Sequence, residues 1–224
     1  MTDIFDRWPD QYDQWFRTPM GSLIKDYESA LLLNMLTPKP KDRILDAGCG
    51  TGVFTRDFLL SGAQVTGVEL SLPMLLRSQR KLEDYPFIGV QGDIRRLPFK
   101  DDSFDHAASI TAIEFIKDAA GAVAELFRVT RSGGVVLVAT LNRLSSWSTR
   151  RKAAGEKGHP LFQHAFFRSP EELQALSPIR AHIKTAIHFE KHVSLEAARE
   201  MEADGRAMDL YTGAFLVARW ITPY

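Results

Sequence analysis

The chain has 224 residues, ordinary apolar and charged fractions and a single cysteine. That length buries a full core in one large α/β domain without disulfides or a structural metal. Acidic and basic residues balance at 28 each, which argues against a general nucleic-acid or membrane-surface binder. The lone Cys49, a start without a basic-then-apolar leader and the lack of a long apolar run make a reducing cytoplasm the expected compartment.

Residues 1–40 read as a helical arm. Phe5, Trp8, Tyr12 and Trp15/Phe16 fall near helical spacing, which predicts a short amphipathic helix interrupted by Pro9. These aromatics either dock the arm on the domain or cap a ligand site. Ile24, Tyr27, Leu31 and Met35 form a second helical stripe, ended by Pro38 and Pro40.

From 41 to 140 strands and helices alternate. Ile44–Asp46 predicts a buried strand that turns sharply at Gly48, Gly50 and Gly52. Thr51 is the expected cap of a helix over 52–61. Ala63–Leu70 predicts a second strand ending at the acid Glu69, followed by a helix from the cap Ser71 to about Glu83. Phe87–Gln91 and Phe104–Ile110 are the third and fourth strands. Asp118 caps a helix to about Thr130, and Val135–Thr140 is the fifth strand. Connections too long for hairpins predict βαβ units and a parallel sheet. Asp46, Glu69, Asp93 and Ile110/Thr111 then share the rim at the strands' carboxyl ends, where such sheets bind nucleoside-type ligands.

The stretch at about 141–168 is polar and basic, with little periodicity, and reads as a lid-like insertion. Ser169-Pro170-Glu171-Glu172 is a capping box. Ala181–Glu190 alternates like a strand, Ser194–Met208 reads helical, and Gly213–Ile221 is a last strand forming an antiparallel pair at the sheet edge.

Four segments in order carry a family resemblance. They are Leu45-Asp46-Ala47-Gly48-Cys49-Gly50-Thr51-Gly52, Val68-Glu69-Leu70-Ser71-Leu72-Pro73-Met74, Gly92-Asp93-Ile94 through Asp105, and Arg128 through Gly134. Together they resemble the signatures of class I S-adenosylmethionine-dependent methyltransferases, of the small-molecule branch that includes the ubiquinone and menaquinone enzymes. Ser132 stands where the family usually has proline. The resemblance implies a doubly wound, mostly parallel, Rossmann-like sheet of seven strands. It further implies an antiparallel C-terminal edge strand, the arm at 1–40 and a methyltransferase domain over 41–224. It makes S-adenosylmethionine the cofactor and S-adenosylhomocysteine the product.

On that resemblance, Asp46 with the backbone at Gly48, Cys49 and Gly50 meets the amino-acid end of the cofactor. Glu69 accepts both ribose hydroxyls, as a two-pronged carboxylate can. Asp93 accepts from the adenine amine, while Ile94, Leu70 and Met74 cover the ring. Ile110 and Tyr12 complete the cofactor set. A nicotinamide dehydrogenase fits Glu69 but not the glycine spacing. A catalytically silent cofactor-binding homologue is the other alternative. Methyl transfer is an in-line displacement that proximity and exclusion of water can drive, so a base is not required. The candidates for one are His159, His164 and Glu114. Trp15, Thr111, Arg150 and Arg151 are the candidates for holding the small-molecule acceptor. The basic run 143–157 makes an anionic acceptor the hypothesis, against a merely solvated lid. No residue spacing suggests a metal.

Overall fold

The computed structural model describes residues 3–223; Met1, Thr2 and Tyr224 lie outside it. The arm holds α1 (Asp3–Asp6), α2 (Pro9–Trp15) and α3 (Pro19–Leu36). Pro9 does not interrupt a helix but opens α2, where its missing N–H would have no partner anyway. Thr18 caps α3 by accepting from the Gly21 amide, and Thr37 ends it in the left-handed conformation.

The sheet follows: β1 (Arg43–Ala47), α4 (Thr55–Leu60), β2 (Gln64–Glu69), α5 (Leu72–Lys81), β3 (Phe87–Gln91) and β4 (Phe104–Ile110). A 3-10 turn at Ile113–Phe115 leads to α6 (Ala119–Val129), which runs straight into β5 (Thr130–Leu141). Beyond lie α7 (Ser146–Glu156), a 3-10 turn at Phe162–His164, α8 (Pro170–Gln174), β6 (His182–Ala186), α9 (Leu195–Ala207) and β7 (Phe215–Ile221). The strands order as β3-β2-β1-β4-β5-β7-β6. Neighbours from β3 to β5 are parallel, and β7 runs antiparallel between β5 and β6. The expected antiparallel pair at the edge is therefore present, with β6 outermost.

Alternation along the strands sends side chains into two cores. Ile44, Val65, Ile110, Leu137 and Val217 join α3 and α4 on one face, with Phe58 and Leu32 fully buried. Leu45, Val68, Val136 and Trp220 join α6 on the other, through Val123 and Leu126. Between β4 and β5, Gly134 lets two backbones approach, since a Cβ there would stand 2.4 Å from the Asp105 carbonyl oxygen.

Two local expectations need correction. The helix expected at 52–61 is only α4, and Phe54, not Thr51, precedes it. Thr51 is withdrawn from capping because its hydroxyl donates to Asp13 of the arm at 2.7 Å. The stretch at 141–168 is not structureless: it holds α7, capped by Ser145, whose side chain accepts from the Ser148 amide. A capping serine inside a polar, basic run carries no periodicity, so the helix leaves little trace in sequence.

Candidate active site

At the carboxyl ends of β1, β2 and β4 the chain encloses a cavity of about 220 Å³. All the cofactor candidates named from sequence line it: Asp46, Gly48, Cys49, Gly50, Glu69, Leu70, Met74, Asp93, Ile94, Ile110 and Tyr12. Gly48 and Gly50 have φ of +82° and +53°, a region that disfavours side chains. A Cβ on Gly48 would also meet Ala112 at 2.5 Å, whereas the space over Gly50 is open.

Glu69 shapes the turn before any ligand arrives. Its two oxygens accept from the amides of Gly50 and Ser71, each at 2.9 Å. Each oxygen keeps a second lone pair, as ribose hydroxyls require. Burial holds its carboxyl above the ordinary range, against the pull of those amides. Asp46 is more deeply placed. One oxygen accepts from the Thr55 hydroxyl at 2.6 Å, and the other is buried with no partner. Burial raises its pKa to about 7. An orphaned acid oxygen facing a cavity suits an ammonium or another cationic ligand end. Ile94 and Met74, both buried, supply apolar wall for a flat ring. Asp93 lines the cavity but is gripped by the Arg95 guanidinium through both oxygens. It has lone pairs left for an exocyclic amine, yet less freedom than a solvated acid. These residues fit S-adenosylmethionine. The Cys49 thiol is held well above its usual pKa by burial and is no nucleophile at neutral pH.

The arm forms part of the same wall. Phe5 and Tyr12 reach the cavity. Asp13 ties α2 down: Lys81 Nζ donates to it at 2.7 Å and Arg77 Nε at 3.2 Å, besides Thr51. Burial opposes its charge, but these bonds win and hold its carboxyl below the usual range. The Ser71 hydroxyl donates to Asp6 at 2.6 Å.

A second cavity, of about 600 Å³, adjoins the first and shares Phe5, Tyr12, Phe54, Met74, Thr111 and Phe115 with it. Its walls carry the acceptor candidates Trp15, Thr111, Arg150 and Arg151, and also Glu114 and His159. His159 stacks on Phe162 at 4.4 Å, and its Nδ1 accepts from the Leu161 amide at 3.3 Å, so one ring nitrogen serves its own turn. His164 is exposed and lines neither cavity, which removes the geometric case for it as a base. Arg150 pairs with Glu190 at 3.3 Å. Arg151 lies over Trp147 at 5.2 Å and faces Glu28 and Glu114. Glu28 was not singled out from sequence: it is an acid on a helical stripe, and only the fold turns it inward. Among the described residues no cluster of acids, histidines and cysteine could hold a metal, and no helix is long and apolar enough to cross a membrane.

The family profile described as "Methyltransferase domain" matches residues 45–138. A malonyl-[acyl-carrier protein] O-methyltransferase of Erwinia pyrifoliae is 31% identical over 195 residues, covering 76% of this chain and 73% of the relative. The enzyme of that name from Serratia marcescens is 38% identical over 110 residues, 49% of this chain and 42% of its own length. The chain thus spans about half the length or less of several such relatives. Among solved structures, a Thermotoga maritima methyltransferase described as a possible histamine N-methyltransferase has a TM-score of 0.79 at 24% identity. That match covers 99% of this chain and 100% of the other. A Haemonchus contortus phosphoethanolamine N-methyltransferase 2, bound to S-adenosylmethionine, has a TM-score of 0.64 at 18% identity, over 88% of this chain and 52% of that one. These two show the fold.

The chain belongs to the class I S-adenosylmethionine-dependent methyltransferases, and S-adenosylmethionine is the family's cofactor. The dehydrogenase alternative is set aside.

Proposed function

We propose that this protein transfers a methyl group from S-adenosylmethionine to a small-molecule acceptor seated in the larger cavity. One observation carries the reading. The cavity ringed by Asp46, Gly50 and Glu69 shares Tyr12, Thr111 and Phe115 with a second cavity whose wall includes Trp8, Trp15, Phe16, Trp147 and Phe162. When bound, the cofactor supplies an electrophilic methyl on a sulfonium, with a neutral thioether as leaving group. The chain's part is positional. Asp46, the glycine turn and Glu69 fix the donor; Tyr12, Phe115 and Thr111 form the wall along which an acceptor atom would be aimed. Phe5, Trp15, Phe54 and Trp147 keep water away. Proximity and desolvation of this kind can supply most of the rate.

The arm at 1–40 and the segment at about 141–168 are the acceptor's lid in this reading. They supply Trp8, Trp15, Trp147 and Phe162 to the larger cavity. The relatives' names concern a malonyl group on a carrier protein. The matched domain at 45–138 contributes few of the larger cavity's walls, so it supports the cofactor more than that acceptor. The charges in the wall count against an anionic acceptor: Arg150 is paired with Glu190, and Arg151 faces two carboxylates. The single cysteine keeps a reducing cytoplasm as the proposed compartment.

The test is thermal unfolding with S-adenosylmethionine, S-adenosylhomocysteine, NAD and NADP. Ligands that bind only the native state raise the midpoint by mass action, so both adenosyl ligands should raise it and the dinucleotides should not. Stabilisation by NAD(P) alone would overturn the reading.

A further inference from the structure

The larger cavity contains a buried cluster that plain positioning of an acceptor does not use. Glu114 is fully buried on the turn after β4; Thr140 donates to its Oε2 at 3.2 Å, and its Oε1 has no partner. Glu28, 9% exposed on α3, lines the same cavity, and its carboxyl makes no hydrogen bond among the described residues. Arg151, from α7, faces both acids, yet no oxygen of either lies within ion-pair distance, and its Nη1 is buried without a partner. Trp147 and Phe162 flank its guanidinium at 5.2 and 5.9 Å. With both acids ionised, as a cation between them would favour, two carboxylates and one guanidinium leave one negative charge over. The other charges nearby do not cancel it. Arg168 lies behind Glu114, but its guanidinium donates to the carbonyls of Ile113, Phe166 and Ile116. Lys25, near Glu28, is held by Asp57 at 2.7 Å. At the mouth, Arg150 is paired with Glu190, Lys191 lies 4.9 Å over Trp15, and His159 and His192 line the wall.

Resting on the methyltransferase reading, we infer that the acceptor is an amine, cationic in water, and that Glu114 and Glu28 hold its ammonium and take the proton that frees its lone pair. A third carboxylate would crowd one guanidinium with like charge. An ammonium instead lets two carboxylates share two cations. The aromatic walls favour the same ligand, because ring faces attract desolvated cations. Burial raises the pKa of Glu28 to about 8 and of Glu114 to about 7, which suits acids that exchange a proton near neutrality. The pair titrates as a coupled unit, so the proton belongs to both.

The step balances. A carboxylate of the pair takes one N–H proton from the ammonium and becomes neutral. The freed nitrogen lone pair forms the new N–C bond to the methyl carbon. The C–S bond breaks with its electron pair left on sulfur, which cancels the sulfonium charge. The methylated nitrogen carries the positive charge out.

The probes are phenethylamine, 2-phenylethanol and 3-phenylpropionate, which share a ring and differ in the charge of the end group. Each is titrated calorimetrically into protein saturated with S-adenosylhomocysteine, in two buffers of different ionisation enthalpy. Phenethylamine should bind at least about tenfold more tightly than either analogue, the order of one buried charge-assisted contact. Glu28→Gln and Glu114→Gln should each remove that preference and change the proton uptake. Both variants should leave the affinity for S-adenosylhomocysteine unchanged, which also reports that they fold. Tighter binding of the carboxylate, or amine binding indifferent to both variants, overturns the inference. Loss of S-adenosylhomocysteine binding by the unaltered protein would instead overturn the methyltransferase reading beneath it.

Discussion

Glu69 joins two loops through one side chain, the Gly50 turn and the start of α5. An amide at this position keeps one acceptor and sets an NH2 against a backbone N–H. Glu69→Gln should therefore raise the dissociation constant for S-adenosylhomocysteine about 10–100-fold, from the roughly 1.5–3 kcal/mol typical of charged hydrogen bonds; calorimetry checks it. Thr111 makes the opposite kind of prediction. It is β-branched and sits at φ +48°, on the wall common to both cavities. Strain of this kind is of order 1–3 kcal/mol. Thr111→Gly should raise the unfolding midpoint slightly and lower turnover, because a side chain that lines both cavities and aims the acceptor is lost; a lower midpoint would show that no strain was relieved. The acids at strand ends were legible in sequence because β periodicity and a turn glycine announce them. Glu28 was not, since nothing local distinguishes an inward acid on a helix from a solvated one until α3 docks on the sheet.

Among the elements, α2 behaves as a latch whose bolt is Asp13. Its pKa is depressed, so its contribution is full above the ordinary carboxylate value and fades as pH falls through the lower, folded one. Asp13→Asn should loosen α2 at every pH above that. Trypsin should then cut faster after Arg7 and Arg17, and S-adenosylhomocysteine should bind more weakly; unchanged cutting would mean that the aromatic contacts hold the arm without the ion pairs. The strands from β1 to β5 were readable because each is mostly apolar and bounded by turn residues, although the alternation with helices breaks between β3 and β4, which a loop joins. The helix α7 was not. Its cap is a serine among serines, and its buried face amounts to Trp147 and Ser148. Its placement comes from tertiary contacts: the Trp147 indole donates to the Phe189 carbonyl at 2.6 Å, and Arg151 reaches into the cavity wall.

For the whole molecule, the buried acids set the pH response. Glu28, Glu114 and Asp46 have pKa values raised by burial to about 8, 7 and 7. A raised acid binds its proton in the native state while the unfolded chain has lost it. Stability is therefore greatest at low pH within the folded range and falls as pH rises through those values. His188 adds the same sign. Burial lowers its pKa, but its bond to Glu202 prevails and raises it, so that stabilisation is also lost as pH rises. The ligand-free unfolding midpoint should drop by about 5 °C or more between pH 5.5 and 8.5, since each kcal/mol is roughly 2–4 °C for a chain of this size. A Glu28→Gln/Glu114→Gln double variant should flatten the curve; an equally steep one would assign the loss elsewhere. The division of the two cavities has a consequence for inheritance. Residues within 45–138 supply most of the donor cavity, whereas the arm and the chain beyond 138 supply most of the acceptor cavity. Selection can thus redraw the part of the acceptor cavity that lies beyond 138 with little effect on the donor cavity. A chimera that grafts only the segment after β5 from a relative onto this arm and sheet should change which acceptors are methylated while keeping its own affinity for S-adenosylhomocysteine, as calorimetry and an acceptor screen would show.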